Sequence, residues 1–229
     1  MGAVGYPVGV AGTVSFTHED LSPDVRIYLG DCLEVLPTIA TEAVDCVVTD
    51  PPYGNGTEYA SYIDSSANLC ELARSCWPMI APIPRIAITC GVANIHKWPE
   101  PRWILSWANP AGMGSGPWGF CCWQPILVYG KDPYLQDGKG RRPDTLFQRM
   151  NQVADVDHPC AKPDNVMRWI VERTTRKQET VLDPFMGSGT TGVACAQLGR
   201  RFLGIEICQT YYDIARKRIS DALLQGRLL

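Results

Sequence analysis

The chain has 229 residues, 45% hydrophobic and 20% charged, which is ordinary globular usage and long enough for one substantial core. Its net charge of -3 and pI of about 5.6 exclude an overall basic field, so contact with nucleic acid has to come from a local, salt-sensitive basic patch. Ten cysteines without a CxxC spacing argue against a disulfide scaffold and read as small buried hydrophobes in a reducing cytosol.

In chain order, residues 1–22 read as a flexible tail. The opening MGAVGYPVGVAGTVSF lacks a basic region and is broken by Gly and Pro, so it does not fit a secretory signal, and Tyr6 stands where a myristoylation site wants Ser or Thr. No apolar run approaches the roughly 20 residues of a membrane span, so a cytoplasmic protein without membrane contact is expected. From residue 25 onward, β-branched runs alternate with amphipathic stretches. The predicted strands are 25–29, 43–49, 85–90, 103–108, 126–130, 180–183 and 201–206. Predicted helices cover 58–77, 164–176 (capped by Asp164), a segment beginning near Gly189, and 209–224. Together they imply an α/β chain with a mostly parallel seven-stranded sheet and helices on both faces. A single domain over 1–229 is expected. The polar stretch 131–160 lacks periodicity, and 131–157 is a candidate loop insertion for target recognition, together with 54–75.

Two strand ends carry chemistry. Residues 181–192, VLDPFMGSGTTG, place a glycine turn between a strand and a helix, and Glu206 ends the next strand 19 residues after Gly187. That register suits an acid accepting hydrogen bonds from ribose hydroxyls, so a nucleoside-containing cofactor is favoured. Asp183 lies where a pyrophosphate would otherwise meet the helix N-terminus. It would repel phosphates but welcome a cationic amine and sulfonium, as in S-adenosylmethionine. The alternative for Asp183 is a structural cap beside the turn. No phosphate-loop lysine comes after the glycines.

The other strand end is DPPYGNG, residues 50–56. Pro51 and Pro52 stop the strand and stiffen the loop beyond it. Exocyclic amino groups of adenine or cytosine are poor nucleophiles, because their lone pair is delocalised into the ring. A carboxylate and a fixed carbonyl accepting the two N–H bonds favour its localisation, and Asp50 and the Pro51 carbonyl can supply both. Tyr53 offers a ring face to a base swung out of a duplex.

DPPYGNG with LDPFMGSGTT resembles the amino-methyltransferases of DNA that act on N6 of adenine or N4 of cytosine, in the order of their β group. The resemblance extends to YLGDCLEVL (28–36), HPCAKP (158–163), RFLGIEICQTYYDIARKRI (201–219) and GMGSGPWGFCCWQPILVYGK (112–131), where Gln124 stands in place of an expected acid. It implies a Rossmann-like S-adenosylmethionine-dependent fold and catalysis by Asp50, Pro51, Pro52 and Tyr53. It also implies cofactor contacts at Asp31, Cys32, Lys162, Asp183, Phe185, Gly187, Ser188, Gly189, Thr190, Thr191 and Glu206, with no metal. Adenine N6 in double-stranded DNA is the expected target, as in restriction-modification enzymes, with a homodimer or partner protein as an aid to recognition. N4 of cytosine is the alternative, since the family more often shows Ser in place of the first Asp there. From other classes, a nicotinamide-dependent oxidoreductase and a non-catalytic nucleic-acid-binding protein compete. Lys139, Arg141, Arg142 and Arg149 are the candidate phosphate contacts, and Trp118 the aromatic candidate for DNA. His158 reads as a brace for its loop. Cys160 reads as a spacer, because transfer to an amine needs no thiolate.

Overall fold

The structure, a computed structural model, describes residues 16–59, 62–149 and 162–226. Its strands are β1 (Thr17–Ser22), β2 (Val25–Leu29), β3 (Cys46–Thr49), β4 (Glu58–Tyr59), β5 (Tyr62–Ile63), β6 (Ile86–Thr89), β7 (Trp103–Ala108), β8 (Ser115–Gly116), β9 (Gly119–Phe120), β10 (Trp123–Tyr129), β11 (Thr145–Phe147), β12 (Thr180–Asp183) and β13 (Arg201–Glu206). Its helices are α1 (Cys32–Val35), α2 (Ser66–Ile80), α3 (Pro133–Gln136), α4 (Asp164–Thr174), α5 (Thr190–Leu198) and α6 (Gln209–Gly226).

One nine-stranded sheet runs in the order β1-β2-β13-β12-β3-β6-β10-β7-β11. Strands β2, β13, β12, β3 and β6 are mutually parallel, while β10 is antiparallel to both of its neighbours. All seven predicted strands are present, and the sheet has nine because one short strand is added at each edge. At one edge, β1 pairs antiparallel with β2, so residues 17–22 are a strand where a tail was expected. Its sequence THEDLS is exposed and charged, as an unpaired edge requires to resist further pairing. Residues 1–15 lie outside the described residues. At the other edge, β11 pairs parallel with β7, inside the stretch expected to be a loop.

Strand residues alternate between two cores, as the period of two dictates. Ile27, Val48, Val181 and Phe202 pack with α4, α5 and α6, whereas Tyr28, Val47, Leu182 and Ile205 pack with α1 and α2. The expectation of helices on both faces is met. Two helix boundaries differ from it. Residues 58–59 and 62–63 form the β4–β5 ribbon, and α2 starts only after Ser65, whose hydroxyl accepts from the Asn68 N–H and so caps the helix. Asp164 is the first residue of α4 rather than its cap, which is Pro163, and it pairs with Arg218 at 2.8 Å. Among the described residues no helix is long and apolar enough to cross a membrane.

The chain leaves β12 through α5 toward β13 on one side, and leaves β3 through α2 toward β6 on the other. The carboxyl ends of β12 and β3 therefore flank the point where the strand order reverses, where open α/β sheets bind ligands. Glycine is required at residue 189: φ is +82°, and a Cβ there would stand 2.9 Å from the Ala215 Cα of α6.

Candidate active site

A cavity of about 1370 Å³ opens at this reversal point and is lined from both strand ends. From β12 and the glycine turn come Asp183, Phe185, Gly187, Ser188, Thr190 and Thr191. Glu206 enters from β13, Asp31 and Cys32 from the start of α1, and Asp50 through Tyr53 from beyond β3. Of the residues proposed from sequence for cofactor or catalysis, Gly189 alone is not in this lining, because it packs on α6.

Asp183 is 2% exposed. Its Oδ1 accepts from the Thr49 hydroxyl (2.7 Å) and the Phe185 N–H (3.1 Å), and its Oδ2 from the Thr191 hydroxyl (2.6 Å). Burial pushes its carboxyl up to about 6 against these hydrogen bonds. Both readings made from the sequence therefore meet here, since Asp183 braces the turn and also lines the cavity. A carboxylate has about four lone-pair sites, so one stays available. Thr49 directly precedes Asp50, and its bond to Asp183 ties the two functional strand ends together.

Glu206 accepts from the Gly187 N–H (2.9 Å) and the Cys208 N–H (2.8 Å), one on each oxygen, which fixes the glycine turn to β13. Burial pushes it, too, up to about 6. Asp31 caps α1 by accepting from the Leu33 N–H at 2.9 Å. Ser188 and Thr190 are held by the Arg218 guanidinium at 3.1 and 3.2 Å. Cys32 is buried, and its thiol is held far above the usual range by Cys76 beside it and by burial. Among the buried thiols, Cys90 is pushed up to about 12 by burial and by the charge of Asp50, so it is no thiolate. His158 and Cys160 lie outside the described residues.

Around Asp50 the structure adds contacts that the sequence does not indicate. Lys162, assigned to the cofactor by resemblance, places Nζ 2.8 Å from Asp50 Oδ2 and 4.8 Å from the centre of the Tyr53 ring. The Tyr53 hydroxyl donates to Asp50 Oδ1 at 2.6 Å, and the Thr89 hydroxyl donates to the same oxygen. Gln124 Nε2 donates to the Tyr53 oxygen, so the tyrosine proton is directed onto Asp50. Burial and the Asp50 charge hold the phenol well above its usual range, keeping it a donor. Asp50 thus has three donors on four lone-pair sites and one acceptor position left on Oδ2.

Thr49, Thr89, Asn94 and Asp64 were not singled out from the sequence. Asn94 is buried and donates to the Tyr53 carbonyl at 2.6 Å. Asp64 is 5% exposed and accepts from the Gly54 (2.5 Å), Asn55 (3.0 Å) and Thr57 (3.1 Å) N–H groups, gripping the loop after Tyr53. Asp64→Ala removes the side-chain acceptor of the Gly54 and Asn55 N–H groups and is expected to cost about 1–3 kcal/mol. The melting midpoint should fall by several degrees, with faster amide exchange at 54–57; Asp64→Asn, which keeps one acceptor oxygen, should fall between Ala and wild type.

The expected basic cluster is divided. Strand β10 runs from Gln124 in the cavity wall to Tyr129, which pairs with Ile86 at the start of β6, so the chain leaves β10 at the end of the sheet opposite the cavity. Lys139, Arg141 and Arg142 come after that exit, which corrects their assignment beside the site. Arg142 bonds Asp132 (3.1 Å) and the Arg173 carbonyl (2.9 Å), and lies 4.3 Å from the Tyr134 ring centre. Strand β11 then returns alongside β7, and the Gln148 carbonyl accepts from Trp107 Nε1 (2.9 Å) in the cavity wall. Arg149 is accordingly exposed at the cavity end. Trp118 is fully exposed at the cavity mouth.

The profile of a protein family described as DNA methylase matches residues 75–217. Type II methyltransferase M.HinfI of Haemophilus influenzae is 26% identical, over 85% of this chain and 68% of that protein. TTHA0409 of Thermus thermophilus, solved in complex with S-adenosyl-L-methionine, superposes with a TM-score of 0.57 at 25% identity, over 85% of this chain and 93% of that one. The cytosine-N4-specific PvuII DNA methyltransferase shares the fold, with a TM-score of 0.66 at 15% identity over 90% and 93% of the two chains.

Proposed function

Because this chain belongs to the DNA methylase family of N6-adenine and N4-cytosine methyltransferases, we propose that it moves a methyl group from S-adenosylmethionine to adenine N6 in double-stranded DNA, with the base swung out of the helix. The observation that carries this reading is the single cavity shared by Asp50 and the buried acids Asp183 and Glu206. Two buried carboxylates with lone pairs to spare suit a cofactor with an ammonium, a sulfonium and a ribose, and suit a pyrophosphate poorly. S-adenosylmethionine, when bound, supplies an electrophilic methyl group. In this reading Glu206 and Asp31 accept from its nucleoside hydroxyls and base, and Asp183 faces its positive end.

The chain's own groups prepare the amine. Asp50 Oδ2 and the Pro51 carbonyl accept its N–H bonds, which drives the nitrogen lone pair out of conjugation and stabilises the positive charge that develops. Tyr53, set by Gln124, holds Asp50 Oδ1 in place. Lys162 lies against the same carboxylate and has to give ground as positive charge grows beside it. Proton loss comes after methyl transfer, because the neutral amine is too weak an acid to ionise first. The first Asp of DPPY favours adenine over cytosine. Arg149 and Trp118, at the cavity end, are the proposed contacts to DNA.

Incubation with methyl-labelled S-adenosylmethionine and unmethylated plasmid, and then nucleoside mass spectrometry, tests the reading. N6-methyladenine is expected. N4-methylcytosine would move the target to the cytosine amine, and label found only in protein would reject action on DNA.

The two acids also impose a pH dependence. Burial holds both up to about 6, so each is charged above that pH and neutral below it. Cofactor affinity should be highest around pH 7 and weaken below pH 6 by up to about tenfold per unit for each acid that loses its charge. Calorimetric titrations at pH 5, 6 and 8 check this; equal affinity at all three would show that neither acid faces the cation.

A further inference from the structure

The β8–β9 hairpin has no part in the chemistry above, yet it stands over the same cavity. Its tip carries Trp118, 100% exposed, and Phe120 beside it is 82% exposed. Residues 113–124 are all cavity-lining, so these rings project at the mouth of the pocket that holds Asp50. The hairpin is anchored below its tip. Met113 N–H donates to the Cys121 carbonyl (2.7 Å), Cys121 N–H to the Gly114 carbonyl (2.9 Å), and Asn109 N–H to the Cys122 carbonyl (2.8 Å). Asn109, 1% exposed, also donates its side-chain amide to the Gly112 carbonyl at 2.9 Å.

Charge identifies what such a hairpin meets. Residues 109–125, NPAGMGSGPWGFCCWQP, contain no charged side chain. A segment at the mouth of a DNA-modifying site that carries neither Lys nor Arg is poorly suited to phosphates, which are the commonest partners of a DNA-binding surface. Its exposed indole and phenyl rings match base faces instead, because stacking needs a π-surface and no charge. A duplex from which one base has been withdrawn offers such faces in the gap left behind, and apolar wedges enter base steps in this way.

We propose that the β8–β9 hairpin is a wedge. Trp118 enters the duplex at the target step and occupies the space the adenine vacates, with Phe120 supporting it from the same hairpin. This role rests on the reading of the cavity as the site of an extruded base. It makes Trp118 a residue that offsets the cost of opening the pair, not one that touches the reacting atoms.

The test uses the site that the wild-type protein methylates on plasmid DNA, placed in two synthetic duplexes. In one the target adenine is paired with thymine; in the other an abasic residue stands opposite it, so the pair is already broken. Trp118→Ala is expected to lower kcat/KM by roughly tenfold or more on the paired duplex. On the duplex with the abasic residue the loss should be less than about threefold, and Trp118→Phe should recover most of the activity on paired DNA. Equal losses on the two duplexes would overturn the wedge in favour of a general contact. Unchanged activity on the paired duplex would overturn it too. Absence of DNA methylation by the wild type would instead defeat the reading of the cavity, and the wedge with it.

Discussion

Asp50→Ala is expected to lower the single-turnover rate of methyl transfer by at least about 1000-fold while changing cofactor affinity less than about threefold. One preorganised acceptor at a site of developing charge is worth about 100- to 1000-fold. Here the loss is compounded, because Lys162 Nζ, 2.8 Å from Asp50 Oδ2 in the intact site, would remain near the amine without its counter-charge. A cation in that position opposes the positive charge that grows on nitrogen. The double variant Asp50→Ala/Lys162→Met should therefore be faster than Asp50→Ala alone. Asp50→Asn keeps an acceptor oxygen and should lie between them and the wild type. Rapid-quench measurement with saturating cofactor separates these rates from binding. A loss that appears mainly in cofactor affinity would move Asp50 out of the transfer step and into the cofactor site.

Asp183→Asn should weaken cofactor binding by about 10- to 100-fold and yet leave the cofactor-free protein as stable as the wild type or more so at pH 8. The two effects have opposite causes. Burial raises the folded carboxyl from 3.8 to about 6, so the neutral form stabilises the fold below about pH 4, and that contribution disappears as pH rises through 6. Above pH 6 the charge of Asp183 costs the empty protein on the order of 3 kcal/mol, a cost that Asn does not carry. Asn can keep its oxygen toward the Phe185 N–H and Thr49 while its amide faces Thr191, whose hydroxyl can turn to accept. Asp183→Ala differs, because it leaves all three donors without an acceptor and should lower the melting midpoint. Thermal melts of the three proteins, with and without cofactor, check the contrast. If Asn and Ala are equally destabilising and both bind cofactor normally, Asp183 is only a structural brace.

Much of this site was legible because its residues stand at the ends of strands that announce themselves. CVVT and TVLD are buried at every position, so they read as unbroken apolar runs, and the acid that ends or directly succeeds each one is conspicuous. Glu206 is legible in the same way, by its distance from the glycine turn. What the sequence hides is pairing across the chain. Thr49 meets Asp183 across 134 residues and Lys162 meets Asp50 across 112, and neither threonine nor lysine carries a local mark of its partner. The place of the basic run is hidden for a topological reason. Nearness in sequence to the cavity wall says nothing about which end of the sheet a loop reaches, and β10 delivers Lys139, Arg141 and Arg142 to the opposite one. Strand β1 leaves little trace in the sequence because an exposed edge needs charge rather than alternating apolar residues.

This pocket is shaped for a positively charged methyl carrier, and titration calorimetry of the wild-type protein at pH 8 tests that most directly. S-adenosylmethionine should bind at one site per chain, more weakly in the Asp183→Asn protein, while NADH gives no saturable heat. Tight, saturable uptake of NADH together with no response to the sulfonium would contradict the account.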